Sequence, residues 1–205
     1  MAALRSPENG GGNPGSGRPK TLCVFCGSQV GNDRRYAAAA ERLGKLLAKE
    51  HVRLVYGGGG IGLMGVLARS VLQAGGLAIG VVPGFLRELE VQQQGLTELV
   101  VTETMHERKF LMYDMADAFA VLPGGIGTLE EITELISWRH LGVHVKPIVL
   151  IDVSNYWRPF VELIEHAVGE GFAAEAVRRD FGVVDRIEDV LAAVGLAAPA
   201  APVKA

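Results

Sequence analysis

Short apolar runs alternate with amphipathic segments of helix length along most of this chain, and this alternation narrows the possible folds more than any other feature. The apolar runs span 21–27, 53–57, 77–82, 98–102, 118–124 and 147–153. Helices are expected at 33–50, 62–74, 104–116, 128–141, 156–168, 173–179 and 187–194, with a short FGVV strand before the last one. Strands that alternate with helices pair in parallel through right-handed crossovers. The sequence therefore predicts an α/β fold, a Rossmann-like, doubly wound parallel sheet with helices on both faces in a single domain.

Composition predicts one folded domain with disordered ends. The chain has 205 residues, of which 49% are hydrophobic, and this is enough for one substantial core. Residues 1–20, rich in Gly, Pro, Ser and Asn, are predicted to be a disordered extension, residues 21–195 the folded domain, and residues 196–205 a flexible tail. The first segment lacks the apolar middle region of a secretory signal, and no apolar run is long enough to span a membrane, so we expect a cytoplasmic protein.

The charge pattern favours a small-molecule partner over a polyanion. Formal net charge is −3, and the lysines and arginines are scattered rather than clustered. A nucleic acid or an anionic membrane surface is normally bound by a concentrated basic patch. The sequence therefore predicts no nucleic-acid partner and no membrane partner.

Two pairs of potential metal or redox ligands are better explained as structural residues. Cys23 and Cys26 form a C-x-x-C pattern, but in a strand residues three apart point to opposite faces. Gly142 interrupts the helix that would align His140 with His144 for a metal. The sequence thus predicts two free thiols, no metal site and no cofactor.

Two strand ends carry a shared GGIG core, in YGGGGIGLMG (56–65) and LPGGIGTLEE (122–131). Glycines before a helix bring backbone N–H groups close to an anion, and the helix N-terminus adds partial positive charge. The first loop also fits G-x-G-x-x-G, but the next strand ends without the acidic residue that holds the ribose of a dinucleotide. Its alternative interpretation is a tight turn without a ligand. Neither loop has the Gly-Lys-Ser/Thr ending of a Walker A motif.

Two adjacent glutamates follow the second loop, and helical spacing separates them. Glu130 points with Glu134 to a polar side, where an acidic residue in the first turn simply complements the helix dipole. Glu131 points instead along the flank of Leu135 and Trp138. A carboxylate on an apolar flank beside a phosphate-type loop favours a functional role.

Cations that suit a phosphate or a carboxylate lie at the start of the preceding helix. Arg108 and Lys109 directly follow the fourth strand, so they are expected at the carboxyl edge of the sheet, where ligands of such folds bind. The alternative is an exposed basic pair balanced by Glu107 and Asp114.

With these motifs in view, the chain resembles the Lonely Guy family, the cytokinin riboside 5'-monophosphate phosphoribohydrolases. The family's M-x-x-R-K is complete from Met105 to Lys109, and its P-G-G-x-G-T-x-x-E is complete from Pro123 to Glu131. The likeness covers roughly residues 21 to 170 and includes FCGS (25–28), YGGGGIGLMG, the RE of LRELE (87 and 88) and TELISWRHLGVHVKP (133–147).

The resemblance implies an enzyme that cleaves the N-glycosidic bond of an N6-modified or plain adenosine 5'-monophosphate, releasing the base and ribose 5-phosphate. It implies Arg108 and Glu131 as the catalytic pair. The substrate contacts it implies are Gly58, Gly59, Glu88, Met105, Lys109, Gly124, Gly125, Ile126, Gly127 and Thr128. It also implies a homodimer with sites near the interface. In this interpretation the loop holds the phosphate and Glu131 acts on the ribose.

Two departures and two rival functions accompany this resemblance. Ile126 stands where many relatives have tyrosine, and segment 90–98 looks longer than in plant relatives, which leaves the preferred base open. One rival is a carrier that binds a nucleotide or a molybdenum cofactor without catalysis, for which Glu131 is not required. The other is a dinucleotide-dependent oxidoreductase, against which the missing acidic residue counts.

Overall fold

The computed structural model describes residues 19–86 and 92–197, and its centre is a parallel sheet of seven strands. The strands are β1 (Thr21–Phe25), β2 (Arg53–Tyr56), β3 (Ala78–Pro83), β4 (Glu98–Thr102), β5 (Ala118–Val121), β6 (Ile148–Ile151) and β7 (Gly182–Val184). Their order across the sheet is β4-β3-β2-β1-β5-β6-β7. All of the pairings between these strands are parallel, which confirms the predicted doubly wound α/β sheet.

Over residues 19–86 and 92–197, six α-helices follow the strands and cover both faces of this sheet. They are α1 (Arg34–Lys49), α2 (Gly62–Gln73), α3 (Met105–Met115), α4 (Ile126–His140), α5 (Arg158–Gly169) and α6 (Val190–Ala193). Helices α1, α2 and α6 pack in one apolar layer, and α3, α4 and α5 pack in the other. Along β1 successive side chains alternate between the layers, with Leu22 and Val24 in the first and Cys23 and Phe25 in the second.

Several predicted helices have different bounds in the structure. Helix α4 begins at Ile126 rather than 128, because Gly125 already occupies the extended N-cap position. The helix predicted at 173–179 is a single 3-10 segment, Glu175–Arg179. The segment is too short for a stable α-helix and ends just before β7. The last helix is reduced to Val190–Ala193, after a 3-10 turn at Ile187–Asp189.

The structure tests the prediction for the two cysteines fully and the prediction for the chain ends only in part. Most of the predicted extension and tail lies outside the described residues, but Leu196, assigned to the tail, is buried in the core. Cys23 and Cys26 are both free and buried, and they belong to opposite apolar layers, as strand alternation predicts. Among the described residues, none of the helices is both long and apolar enough to cross a membrane.

The strand order reverses at β1, because the chain first builds outward from β1 to β4 and then returns to add β5 on the other side of β1. At such a switch point the loops leaving two neighbouring strands diverge to opposite faces and leave a crevice between them. The loops that follow β1, β2 and β5 therefore surround the place where a ligand is expected.

Candidate active site

A cavity of about 220 Å³ opens at this switch point, beyond the carboxyl ends of the strands. Its walls come from the ends of β1 and β2, the start of α3 and the β5–α4 loop. The lining residues are Val24, Phe25, Cys26, Ser28, Gly57, Met64, Met105, Arg108, Gly125, Ile126, Gly127, Thr128, Glu130 and Glu131. The cavity thus joins the second glycine loop, the arginine and the glutamates in one place.

The second glycine loop presents the open N-terminus of α4 to this cavity. In the part of the chain that the structure describes, no side chain caps the helix at Gly125, so the first-turn N–H groups have neither an intrahelical partner nor a capping side chain there. A Cβ added at Gly125 or Gly127 meets nothing within 4 Å, whereas one added at Gly124 lies 2.1 Å from the Thr128 hydroxyl. Gly124 therefore packs against buried Thr128, while Gly125 and Gly127 leave open space in front of the helix. This is the geometry of an anion site.

Tyr156 fixes the orientation of a peptide in this loop from outside the cavity. Its hydroxyl donates a hydrogen bond to the carbonyl oxygen of Gly124. Because the C=O and N–H of a planar trans peptide point in opposite directions, this bond turns the N–H of Gly125 away from Tyr156. The tyrosine ring itself packs edge-on against Tyr36, with 5.7 Å between ring centroids.

Arg108 reaches the cavity because α3 starts at a well-capped N-terminus. The Thr104 side chain accepts a hydrogen bond from the N–H of Glu107, at 3.1 Å, and the Glu107 carboxylate accepts one from the N–H of Glu103. This reciprocal capping fixes where the first turn of α3 begins and places Arg108 at its end.

The guanidinium of Arg108 is buried and held by backbone carbonyl groups. Nε donates to the carbonyl of Val81 at 3.1 Å, and a terminal nitrogen donates to the carbonyl of Gly57 at 3.2 Å. Its other terminal nitrogen lies 3.7 Å from the sulfur of Met105. Within the described part of the chain no carboxylate lies within ion-pair distance of Arg108, so its charge remains available to an anionic ligand.

Glu131 faces the same cavity, and its ionisation is perturbed. Burial raises the pKa of its carboxyl group to about 7, with smaller raising contributions from Glu130 and Glu134, while Arg108 and Lys109 act in the opposite direction. A carboxyl group with a pKa near neutrality exchanges protons readily at physiological pH. The expectation that Glu131 differs from its neighbour agrees with their exposure, since Glu130 is more than half exposed.

Lys109 is buried beside Arg108 but is occupied by carboxylates. Its ammonium lies 2.6 Å from a carboxylate oxygen of Glu130 and 2.9 Å from one of Glu134. Burial is the largest single effect on the pKa of Lys109 and lowers it, but the hydrogen bonds and charges of Glu130 and Glu134 together outweigh burial and raise the pKa above its ordinary value. Among the described residues Lys109 is not part of the cavity wall.

The structure brings together most, but not all, of the predicted site residues. Arg108, Glu131, Met105 and the residues from Gly125 to Thr128 line the cavity, and Gly124 lies directly behind the loop. Gly58 and Gly59 pack against Val82 and Met64, and Gly57 takes the place on the cavity wall instead. Glu88 lies outside the described residues. For every one of the predicted site residues, contact with substrate stays a prediction.

The histidines examined as metal ligands have other partners. His140 Nδ1 lies 3.0 Å from a carboxylate oxygen of Asp180. Buried His144 contacts the carbonyl of Leu135 at 3.1 Å through Nε2, and burial lowers its pKa. Over the described ranges, no cluster of His, Cys, Asp and Glu is arranged to hold a metal ion.

Sequence reasoning missed several residues of the site, among them Ser28, Gly57 and Tyr156. Gly57 directly follows β2 and Ser28 lies three positions after β1, so the strand-end rule was a sufficient signal for both. Tyr156 follows β6 by five positions and acts across the sheet edge, and no local pattern marks it.

Comparison with known proteins identifies relatives over most of the chain. The model of a family described as possible lysine decarboxylase matches residues 64–194. A cytokinin riboside 5'-monophosphate phosphoribohydrolase from Rhodococcoides fascians is 46% identical over 86% of this chain and 89% of its own length. An enzyme of the same description from Oryza sativa subsp. japonica is 47% identical over 79% of this chain and 67% of its own.

Solved structures with this architecture include a cofactor-binding protein. The molybdenum cofactor binding protein from the phototrophic bacterium Rippkaea orientalis superposes with a TM-score of 0.65, covering 86% of this chain and 96% of that chain. Its sequence identity is 20%, so the likeness concerns the fold alone.

Proposed function

The chain belongs to the Lonely Guy family of cytokinin riboside 5'-monophosphate phosphoribohydrolases, and from this premise we propose that it hydrolyses the N-glycosidic bond of an adenosine-type nucleoside 5'-monophosphate. The products are the free base and ribose 5-phosphate. The observation that carries the proposal is that Arg108, Glu131 and the open N-terminus of α4 share one cavity. No single one of these groups is specific, but together they match a phosphorylated sugar.

The phosphate binds at the second glycine loop. N–H groups in the first turn of α4 are free to donate to it, and Thr128 adds a hydroxyl. The Arg108 guanidinium, which has no carboxylate partner among the described residues, offsets the negative charge. A nucleoside without a phosphate cannot form these contacts with the loop and the guanidinium, so the site selects monophosphates over nucleosides.

Glu131 acts on the ribose, one helical turn beyond the phosphate. Breaking the glycosidic bond develops positive charge on the sugar, and a buried carboxylate stabilises that charge and accepts a proton from the attacking water. The bond between C1' and the base nitrogen breaks, the base keeps the electron pair and takes up a proton from solvent to leave as the neutral base, and the water oxygen bonds to C1'. The proton that Glu131 accepts returns to solvent, so the protons balance. A pKa of about 7 lets Glu131 accept that proton and release it again near neutral pH.

We also propose that the protein works as a homodimer whose interface adjoins the site. Val101 on the edge strand β4, and Met105 and Phe110 on α3, are exposed apolar side chains. An apolar surface beside a cavity is typical of a contact with another protein surface, and Met105 belongs to both. Light scattering tests the stoichiometry, and a monomer at micromolar concentration contradicts it.

The activity is tested by incubating the protein with AMP, isopentenyl-AMP, and the matching nucleosides, diphosphates and triphosphates. We expect free base and ribose 5-phosphate in equal amounts, from monophosphates only. Nucleotide binding without release of base contradicts the proposal and favours a carrier.

The catalytic pair is tested by Glu131→Gln and Arg108→Ala. Removing a charge that stabilises a transition state costs about 3 kcal/mol or more, so each variant is expected to lose at least about a hundredfold in rate. Arg158→Ala and Glu162→Gln are matched controls, because these residues form an exposed pair on α5, away from the cavity lining. Wild-type rates in both site variants contradict the assigned roles.

A further inference from the structure

The two cations at the start of α3 serve different surroundings, although they are adjacent in the sequence. Arg108 lines the cavity and has no carboxylate partner within the described residues. Lys109 has a side chain that is 9% exposed and contacts two carboxylates of α4, those of Glu130 and Glu134. Since Glu130 and Glu134 are four residues apart on a helix, one ammonium group spans successive turns of the same face.

Glu131 lies between these two surroundings. It lines the cavity together with Arg108, and it also lines a small hollow behind the cavity together with Lys109 and Glu134. Phe25, Tyr113, Leu135 and Trp138 complete that hollow. The carboxyl group therefore meets Arg108 in front and the lysine cluster at the back.

We propose that Lys109 is a positioning residue that does not bind substrate: through Glu130 and Glu134 it clamps α4 to α3 and holds the Glu131 carboxyl group toward the cavity. The inference rests on the proposed function, because it assigns a role within the same site. It replaces the substrate contact that the family resemblance implies for this lysine.

The charges around Glu131 give this arrangement a measurable sign. Burial is the largest effect and raises its pKa, and Glu130 and Glu134 from its own helix raise it further. Arg108 and Lys109 from α3 lower it. The thiols of Cys23 in β1 and of Cys26 just after β1 stay protonated, because burial and, to a smaller extent, the charge of Glu131 raise their pKa values. Tyr113 from α3 has a raised pKa and is neutral as well.

Changes on the two sides of the ion pair therefore have opposite consequences. Lys109→Met leaves the carboxylates of Glu130 and Glu134 beside Glu131 without their counter-charge, so the pKa of Glu131 rises. Glu134→Gln removes one of the raising charges, so the pKa of Glu131 falls. Lys109→Arg keeps the charge and one or both ion pairs. Because Arg108, which lines the cavity, also lowers the pKa of Glu131, the titration tests the electrostatic link between Lys109 and Glu131, and the kinetics test contact with substrate.

The experiment measures both the ionisation of Glu131 and catalysis. Carbon-13 NMR of the glutamate carboxyl groups follows the titration without substrate, with Glu131→Gln identifying the resonance. We expect an upward shift of about one pH unit in Lys109→Met, a downward shift in Glu134→Gln and a value near wild type in Lys109→Arg. The double variant Lys109→Met/Glu134→Gln is expected to lie between the single variants.

Kinetics then separate positioning from substrate contact. At pH 7 we expect Lys109→Met to lower kcat about fivefold, with KM within about threefold of wild type and partial recovery at higher pH, because a rise of one unit from a pKa of about 7 lowers the ionised fraction of Glu131 from about one half to about one tenth. A tenfold rise in KM with an unchanged Glu131 titration overturns the inference. So does an unchanged titration in both Lys109→Met and Glu134→Gln. If wild type releases no base, the proposed function fails, and the NMR titration still tests whether Lys109 and Glu134 set the ionisation of Glu131.

Discussion

The two glycine loops share the sequence GGIG and the same strand-loop-helix plan, yet they use their glycines in opposite ways. In the first loop, a Cβ at Gly57 meets the Arg108 guanidinium at 2.2 Å, and one at Gly62 meets the Ser28 backbone at 2.2 Å. In the second loop, Gly125 and Gly127 face open space. The first loop is filled by the protein itself, and the second is left for a ligand.

The helices that follow the two loops, α2 and α4, also differ in whether their N-termini are used within the protein. When the GGIG segments are aligned, Glu131 of α4 falls at the position of Val66 in α2. The N–H of Leu63, in the first turn of α2, donates to the carbonyl of Gly27 at 3.1 Å, so that helix start is used within the protein. A glycine motif therefore indicates close approach of the backbone, and only the surroundings decide whether the approaching group belongs to the protein or to a ligand.

The largest expected effect is on stability, from Gly62→Ala in the first loop. Gly62 has φ 61°, which disfavours a side chain, and the new Cβ falls against backbone atoms that cannot move aside easily. Left-handed strain and overpacking together are expected to cost about 3 kcal/mol in the free energy of unfolding. Urea denaturation measures this, and a loss below about 1 kcal/mol contradicts close packing of this loop.

The second effect is a pH dependence of the free energy of unfolding, which comes from Glu131 in the helix after the second loop and has no counterpart at Val66 in the helix after the first. Below about pH 4.5 the Glu131 carboxyl is protonated in both states, and between that pH and about 7 only the unfolded state ionises. The unfolded state then binds fewer protons, so the free energy of unfolding falls as pH rises through this window. Glu131→Gln removes this loss, and its stability relative to wild type should increase by about 3 kcal/mol from pH 4.5 to 8. A difference that stays constant with pH contradicts the perturbed carboxyl.

Gly127→Ala is the counterpart of Gly62→Ala in the open loop. Because its Cβ meets nothing within 4 Å in helical backbone, stability should stay equal or improve by up to about 1 kcal/mol. The methyl group occupies space in front of the helix N-terminus, so KM for the monophosphate should rise about tenfold, an effect of about 1.4 kcal/mol. Steady-state kinetics with parallel thermal unfolding check both halves. A stability loss equal to that of Gly62→Ala erases the contrast between the loops.

The smallest effect is expected from Tyr156→Phe, which removes the hydrogen bond to the Gly124 carbonyl and keeps the ring packing. A single neutral hydrogen bond contributes about 1 kcal/mol, so KM should rise by about fivefold with kcat little changed. Tyr36→Phe, which alters the neighbouring ring only at its hydroxyl, is the matched control. Equal kinetics for Tyr156→Phe and wild type argue against orientation of the loop by this bond.

The alternation of apolar runs with amphipathic segments predicted the sheet, its parallel pairing and the edge where the cavity lies. Helical spacing separated Glu131 from Glu130, because side-chain direction within one helix is a local property. Arg108 was predicted as a site residue because it comes soon after a strand, and that position is also read from the local sequence. These inferences needed only neighbours within one element, or a general rule about where elements meet.

The tertiary structure alone decided which partners the candidate groups meet. Arg108 is held by carbonyls 27 and 51 positions away, and Lys109 meets a glutamate 21 positions away. It also distinguished the two GGIG loops, because the shared sequence motif indicates an anion site at both. Periodicity fixes the direction of a side chain within its own element. The atoms that the side chain contacts depend instead on how distant elements pack. That packing placed protein atoms against the first GGIG loop and left open space in front of the second.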